Sequence, residues 1–250
     1  MQFGHEKLHV YQKGLDCFAD MQAFMSSWSR QHAFVDHLSR AMESVLFNLV
    51  EAARLRQRTK KLLNLDYALG STFECAACLD IAVLKSLLDR EGGVEQKRLL
   101  LEVCKMLMGL RSSWQSPRIA EGERAYLSQQ DGQVESCVFH HETLDMYTVM
   151  LGFYRWFLST EPGKSLSSGF DRSVDTLATR VVLNIAEGNG RYAELSRQGF
   201  LDTANAAGVK LAVCLDMGAR RGVWSAKEVE EGKQLLLRVG QMTARKGYAD

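Results

Sequence analysis

The feature that most constrains this chain is that its first half returns in its second at a constant spacing of 136 residues. His141 follows His5 by 136 residues, and at the same spacing Glu6 meets Glu142, Leu8 meets Leu144, Tyr11 meets Tyr147 and Leu15 meets Leu151. Phe34, Val45, Asn48 and Glu51 return as Phe170, Val181, Asn184 and Glu187. Cys78-Leu79-Asp80 returns as Cys214-Leu215-Asp216, and Lys97 as Lys233 inside a matching leucine-rich run. The register holds without a gap, which is the mark of a tandem duplication. The unit that must fold is therefore half of the chain.

Each half reads as helical. Proline occurs only at 117 and 162, and a proline inside a helix costs about 3 kcal/mol, so long helices are permitted throughout. Apolar residues recur at three- and four-residue steps and no period-two alternation is sustained. A first helix puts Leu8, Tyr11, Leu15, Phe18, Met21 or Ala23, Met25 and Trp28 on one face. A second is expected from about Phe34 to Arg58, and a third from Leu62 to about Asp89, where Glu91-Gly92-Gly93 breaks it. A fourth carries Val94, Leu100, Val103, Leu107 and Leu110. The second half repeats the plan near 142–160, 167–190, 194–221 and 225–246, with Ser225 and Glu228 spaced as a capping box. Short connections imply antiparallel neighbours. The expected fold is all-α: two tandem up-down-up-down four-helix bundles, residues 1–111 and 139–250, joined by a polar linker at 112–138 with a short helix from Ile119 to Leu127.

Bulk composition narrows the function. Apolar residues make up 46% and charged residues 24%, with net charge +1, so no global field draws the chain to a polyanion and any such contact needs a local patch. The first residues form no secretory signal and no apolar run is long enough for a bilayer, so no membrane partner is expected. Cys75, Cys78, Cys104 and Cys214 sit at helical spacing among apolar residues, which fits core positions in a reducing, cytoplasmic compartment. Cys75-x-x-Cys78 has no second pair with which to hold zinc.

Polar residues inside the apolar stripes are the next signal. Asn48 and Asn184 fall on the buried stripe of the second helix in each half, with Glu51 and Glu187 three residues on. Groups of this kind need partners. Antiparallel packing brings the start of the first helix to the end of the second, so a hydrogen bond from Tyr11 to Glu51 and from Tyr147 to Glu187 is expected. Tyr11, Asn48, Glu51, Tyr147, Asn184 and Glu187 are thus read as a structural polar network. No repeated Glu-x-x-His on a core face, phosphate loop or nucleophile elbow is present. The chain is read as a non-enzyme without metal or cofactor.

Two short motifs carry a family resemblance. The second half holds Asn184-Ile185-Ala186-Glu187-Gly188-Asn189-Gly190-Arg191, and the first holds Ala68-Leu69-Gly70-Ser71-Thr72-Phe73-Glu74 and Leu8-His9-Val10-Tyr11-Gln12-Lys13. These resemble the N-I-A-E-G-x-G-R, A-x-G-S-x-x-E and L-x-V-Y-Q-K patterns of the four-helix-bundle family of the protein encoded in 23S ribosomal RNA intervening sequences. That family includes the accessory variability determinant of diversity-generating retroelements. Each half keeps a different part of the signature: Asn48 to Arg54 and Ala204 to Lys210 are the decayed counterparts. The resemblance implies a basic oligomeric barrel that binds a reverse transcriptase and its template RNA, from which this chain departs in being duplicated and nearly neutral.

The densest basic run is Arg54, Arg56, Arg58, Lys60 and Lys61, with Arg54, Arg58 and Lys61 on one stripe if a single helix carries them. Arg191 and the pair Arg220-Arg221 are further candidates for nucleic acid. The expected function is an accessory protein binding RNA or a ribonucleoprotein, with assistance to a reverse transcriptase implied by the resemblance. The alternative is a helical oligomeric scaffold that binds protein through an apolar face such as Tyr154, Trp156 and Phe157. Self-association, or packing of the two halves on each other, fits either reading.

Overall fold

A computed structural model describes residues 3–115 and 138–246, and the described residues are helical, without a strand. The helices are α1 (His9–Met25), α2 (Ala33–Arg54), α3 (Arg58–Leu84), α4 (Arg90–Trp114), α5 (Asp145–Ser159), α6 (Glu161–Ser165), α7 (Gly169–Asn189), α8 (Glu194–Arg220) and α9 (Ala226–Lys246). Short 3-10 turns, Gly4–Lys7 and His140–Thr143, precede α1 and α5. The 136-residue register is kept at helix boundaries: Ala33 and Gly169, Arg58 and Glu194, and Arg90 and Ala226 are corresponding first residues. The central part of the expected linker, with its short helix, lies outside the described residues.

Within the first half α2 packs on α3, α3 on α4, and α1 on both α2 and α4; within the second, α7 packs on α8, α8 on α9, and α5 on α7 and α9. Two expected boundaries move. The second helix ends at Arg54, and Arg58 opens the third after a three-residue link. Gly92 and Gly93 do not break a helix but lie in the first turn of α4. There Asp89 caps the end, its Oδ1 accepting from the Gly92 N–H at 2.7 Å, as N-cap carboxylates do. The Ser225–Glu228 capping box forms, with Ser225 N–H to Glu228 at 2.7 Å and the reciprocal bond at 3.3 Å. The start of α1 is rotated by one residue from expectation, while Met21, Met25 and Trp28 are buried as expected. Val10, Gly14, Cys17, Met21 and Met25 are its buried positions, while Tyr11 is half-buried and Leu15 exposed. Small residues at 14 and 17 let α1 close onto α2, and a Cβ on Gly14 would lie 2.8 Å from Leu46.

The halves do not stand apart. The buried apolar side chains form one continuous cluster through both, because α3 also packs along α7. Enclosed by α2, α4 and α7, α3 is buried on nearly every side, including Leu65, Ala68, Leu69, Phe73, Ala76, Ala77, Cys78, Ile81 and Ala82. By length and composition it is apolar enough to cross a bilayer, yet 72% of its most apolar window is buried inside the protein. Its apolarity is therefore that of a central helix. Tyr154 and Phe157 are also core residues and Trp156 packs against the core beside Phe153 and Trp224, so that face of α5 is not a free docking surface.

Close approach at this junction rests on glycine. A Cβ at Gly190 would fall 2.8 Å from the Phe73 ring and 3.1 Å from the Gly70 Cα. Gly190→Val is expected to destabilise the protein by about 1–3 kcal/mol through overpacking, read as a lower urea midpoint. An unchanged midpoint would mean the halves are not packed in this way.

Candidate nucleic-acid interface

The basic run is assembled from two helix ends. Arg54 closes α2, Arg56 lies in the link, and Arg58, Lys60 and Lys61 form the first turn of α3. The single helical stripe expected of Arg54, Arg58 and Lys61 is therefore absent, since the chain turns between them. Arg54 pairs with exposed Glu51 at 2.6 Å, and the Lys61 ammonium lies 4.2 Å over the Trp114 ring. Arg56, Arg58 and Lys60 are exposed. The first turn of α3 holds no acidic residue, although the positive end of a helix dipole favours acids there and disfavours cations. Its counterpart α8 opens instead with Glu194. Helix-end electrostatics accounts for Arg54 but not for Arg58, Lys60 and Lys61.

The other basic candidates do not join this patch. Arg191 is buried. It pairs with Glu187, donates to the Asp66 carbonyl at 3.1 Å, and lies 5.0 Å and 4.8 Å over the Tyr67 and Phe200 rings. It belongs to the junction, out of reach of a polyanion. Arg220 and Arg221 are exposed at the far end of α8, Arg221 resting on Phe170. Arg191 at the end of α7 meets Asp66 near the start of α3, whereas Lys85 beyond the end of α3 meets Asp175 near the start of α7. Hence α3 and α7 run antiparallel, and Arg220-Arg221 lies a helix length from the basic run. That length is about 40 Å for 27 residues.

The expected tyrosine–glutamate bonds are replaced by others. Glu51 pairs with Arg54 and Glu187 with Arg191. Asn48 donates back to the Ser44 carbonyl at 2.8 Å and Asn184 to the Arg180 carbonyl at 2.7 Å. Tyr11, turned to the edge of α1, meets the His5 ring edge-on at 4.9 Å. Tyr147 is buried and donates across the junction to Asp80 at 2.8 Å.

Asp80 is part of an ionic cluster that sequence reasoning missed. Lys97 bridges Asp80 at 2.8 Å and Glu142 at 2.7 Å. Burial opposes its charge, but the two carboxylates outweigh it and hold the ammonium above its ordinary value. A second cluster joins Lys85 to Asp175 at 2.6 Å, where Tyr154 also donates to Asp175 at 2.5 Å. At the other end of α3, Arg111 meets Asp66 at 2.6 Å and lies 3.9 Å over the Tyr192 ring. The signal was present in the sequence, since Asp80, Lys97, Glu142 and Tyr147 all recur at 136 residues. The contacts to Glu142 and Tyr147 could not be read, because those two partners come from the other half.

His141 lies beside this cluster, fully buried and edge-on to Tyr147 at 4.6 Å, with Phe73 and Phe139 around it. Asp80, His141 and Glu142 offer ligand atoms within 4.8 Å of one another. Lys97 already supplies the positive charge between the carboxylates, and the same lysine–aspartate pair recurs as Lys233–Asp216. The trio is therefore read as an ion cluster rather than a metal centre. Cys75 and Cys78 are buried, and burial raises both thiols well above their ordinary value.

The model of the 23S rRNA-intervening sequence protein family matches residues 6–109, which span α1 to α4 and include the basic run. No curated protein and no solved structure matches the chain.

Burial, with Lys97 and His140 nearby, pushes the pKa of His141 well below its ordinary 6.5. Below pH 6.5 the unfolded chain takes up a proton that the folded one refuses, so this contribution to stability is full above 6.5 and lost as pH falls. Glu142, raised by burial and by Asp80, acts in the opposite sense. The His141 share is therefore the difference between wild type and His141→Leu. Between pH 7.5 and 5.5 the wild type is expected to lose up to about 1.4 kcal/mol per pH unit more than the variant. Parallel urea-stability profiles would show that His141 is not held neutral.

Proposed function

We propose that this chain is a tandem duplication of a four-helix bundle, with residues 1–111 and 139–250 as its two domains and 112–138 between them. In this reading it serves as a non-enzymatic accessory protein that binds RNA through Arg54, Arg56, Arg58, Lys60 and Lys61. The observation that carries the reading is the placement of three cations in the first turn of α3, with no acid among them. Cations are disfavoured there, and phosphate oxygens would relieve both them and the free N–H groups of the helix end. The family match over residues 6–109 supports an association with RNA. Assistance to a reverse transcriptase, and self-association of the chain, are the finer parts of the same reading.

Arg56→Ala/Arg58→Ala/Lys60→Ala changes three exposed side chains for which no buried contact is seen. With a short single-stranded RNA, affinity is expected to fall and the slope of log affinity against log salt to flatten by about 2, or about 0.7 for each phosphate no longer neutralised. Equal binding by wild type and variant at low salt would sink the assignment of this patch. The second reading, a scaffold for protein partners, is favoured by the exposed Val209, Val213 and Met217 on α8. It predicts association that tolerates salt.

A further inference from the structure

A polar cleft of about 320 Å³ opens where α2, α3 and the end of α7 meet. Its size is at the small end of pockets that hold organic ligands. The wall gathers residues on which the family resemblance rests, and takes them from both halves. Asn48, Ser71 and Glu74 come from the first half, Glu187 and Arg191 from the second. The 136-residue register supplies no second cleft of this kind, because Ser71, Glu74 and Arg191 have Ala207, Lys210 and Leu55 as counterparts.

Acceptors dominate this wall. The Ser44 and Ser71 hydroxyls share a hydrogen bond at 2.8 Å. Asn48 spends its amide nitrogen on the Ser44 carbonyl at 2.8 Å and on the Ser44 hydroxyl at 3.0 Å, and its other polar atom, Oδ1, can only accept. Glu74 pairs with His37 at 3.2 Å through one carboxylate oxygen, and Glu187 pairs with Arg191 through one of its own. Each glutamate keeps a second oxygen, and their side chains are only 17% and 16% exposed. Burial, and then the nearby Glu74, raise the pKa of Glu187. Because each carboxylate already faces a basic side chain, a neutral group rich in N–H donors suits the cleft better than an ion of either sign.

An aromatic ring connects the cleft to the basic run. Tyr67 lines the cleft and is 40% exposed, with the Arg191 guanidinium 5.0 Å from its ring. It follows Lys60 by seven residues on α3, nearly two turns on and on the same face. The separation along the helix is about 10 Å. A strand whose phosphates meet Arg56, Arg58 and Lys60 can therefore lay a base on this ring. Unpaired RNA bases stack on aromatic side chains and are read along their exposed edges. Guanine is the base whose Watson–Crick edge carries two adjacent donors, N1–H and N2–H₂, and so matches a wall of acceptors.

We propose that this cleft receives one unpaired guanine, stacked on Tyr67 with its N–H edge turned to the Glu74 and Glu187 carboxylates. This rests on the RNA reading above for the source of the base and deepens it. The basic run holds phosphates, the cleft chooses the base, and the strand must be single because a paired guanine has that edge occupied. A free guanine nucleotide carries the same edge and is the other source of this chemistry.

The test compares two short single-stranded RNAs of equal length by fluorescence anisotropy, one all uridine and one with a single central guanosine. Guanosine monophosphate is titrated beside them by calorimetry. Wild type is expected to bind the guanosine strand about tenfold more tightly than the uridine strand. Glu74→Gln and Tyr67→Ala, checked for folding by circular dichroism, are expected to bring that ratio close to one. The Arg56→Ala/Arg58→Ala/Lys60→Ala variant is expected to weaken both strands and keep the ratio. Equal wild-type affinity for the two strands would overturn the guanine site and leave the basic patch standing. A preference that neither Glu74→Gln nor Tyr67→Ala reduces would also overturn it. Guanosine monophosphate bound in a manner sensitive to Glu74→Gln, with neither strand bound, would support the cleft and sink the RNA reading. Binding of no probe at all would overturn both.

Discussion

Everything in this molecule is organised around α3. It packs against α2 and α4 as any helix in a bundle would, and then against α7 as well, so it has almost no solvent face to give up. Burying a helix on all sides demands small residues where backbones approach, and Gly70, Ala76, Ala77 and Ala82 supply them. It also carries charge into the junction, because Asp66 and Asp80 sit on α3. Those carboxylates are tolerated because Arg111 and Lys97 meet them. Buried pairs of this kind add little net stability over apolar packing, but removing one partner is costly, since it strands a charge. Their service is to fix the register of one half against the other.

The basic run and the junction are consequences of the same asymmetry. The first half uses its third helix to receive the second half, so the start of α3 is placed beside the end of α7. There Arg191 is drawn inward to Asp66 and away from solvent, and the exposed cations that remain are those of the first half alone. The second half uses α8 in no such contact, and its outer face keeps apolar residues in water. The two halves thus present different surfaces: exposed cations at the start of α3 in one, exposed apolar side chains on α8 in the other.

Much of the architecture was legible in the residues, and the misreadings are instructive. Helical content, the four long helices of each half and the 136-residue register follow from periodicity, and the family resemblance rests on motifs in both halves. Tyr11 was misplaced because a one-residue rotation at the start of α1 is decided by Gly14 closing on Leu46, which an apolar stripe does not reveal. Arg191 reads as a surface cation within a glycine-rich helix end and is in fact a buried one. Tyr154 and Phe157 read as an exposed face because their partners lie in other helices.

What the sequence determined by itself is local: where helices begin and end to within a few residues, which of their faces are apolar, and that the plan occurs twice. These follow from short-range spacing, turn chemistry and repetition. What only the tertiary structure decided is which copy of a repeated residue meets which partner. Asp80 and Asp216, Lys97 and Lys233, and Tyr147 and Tyr11 are equivalent as letters, but one set meets between the halves and the other is partly or fully exposed. That difference arises because a heterologous contact uses each face once, and no periodicity within a half records which copy is used.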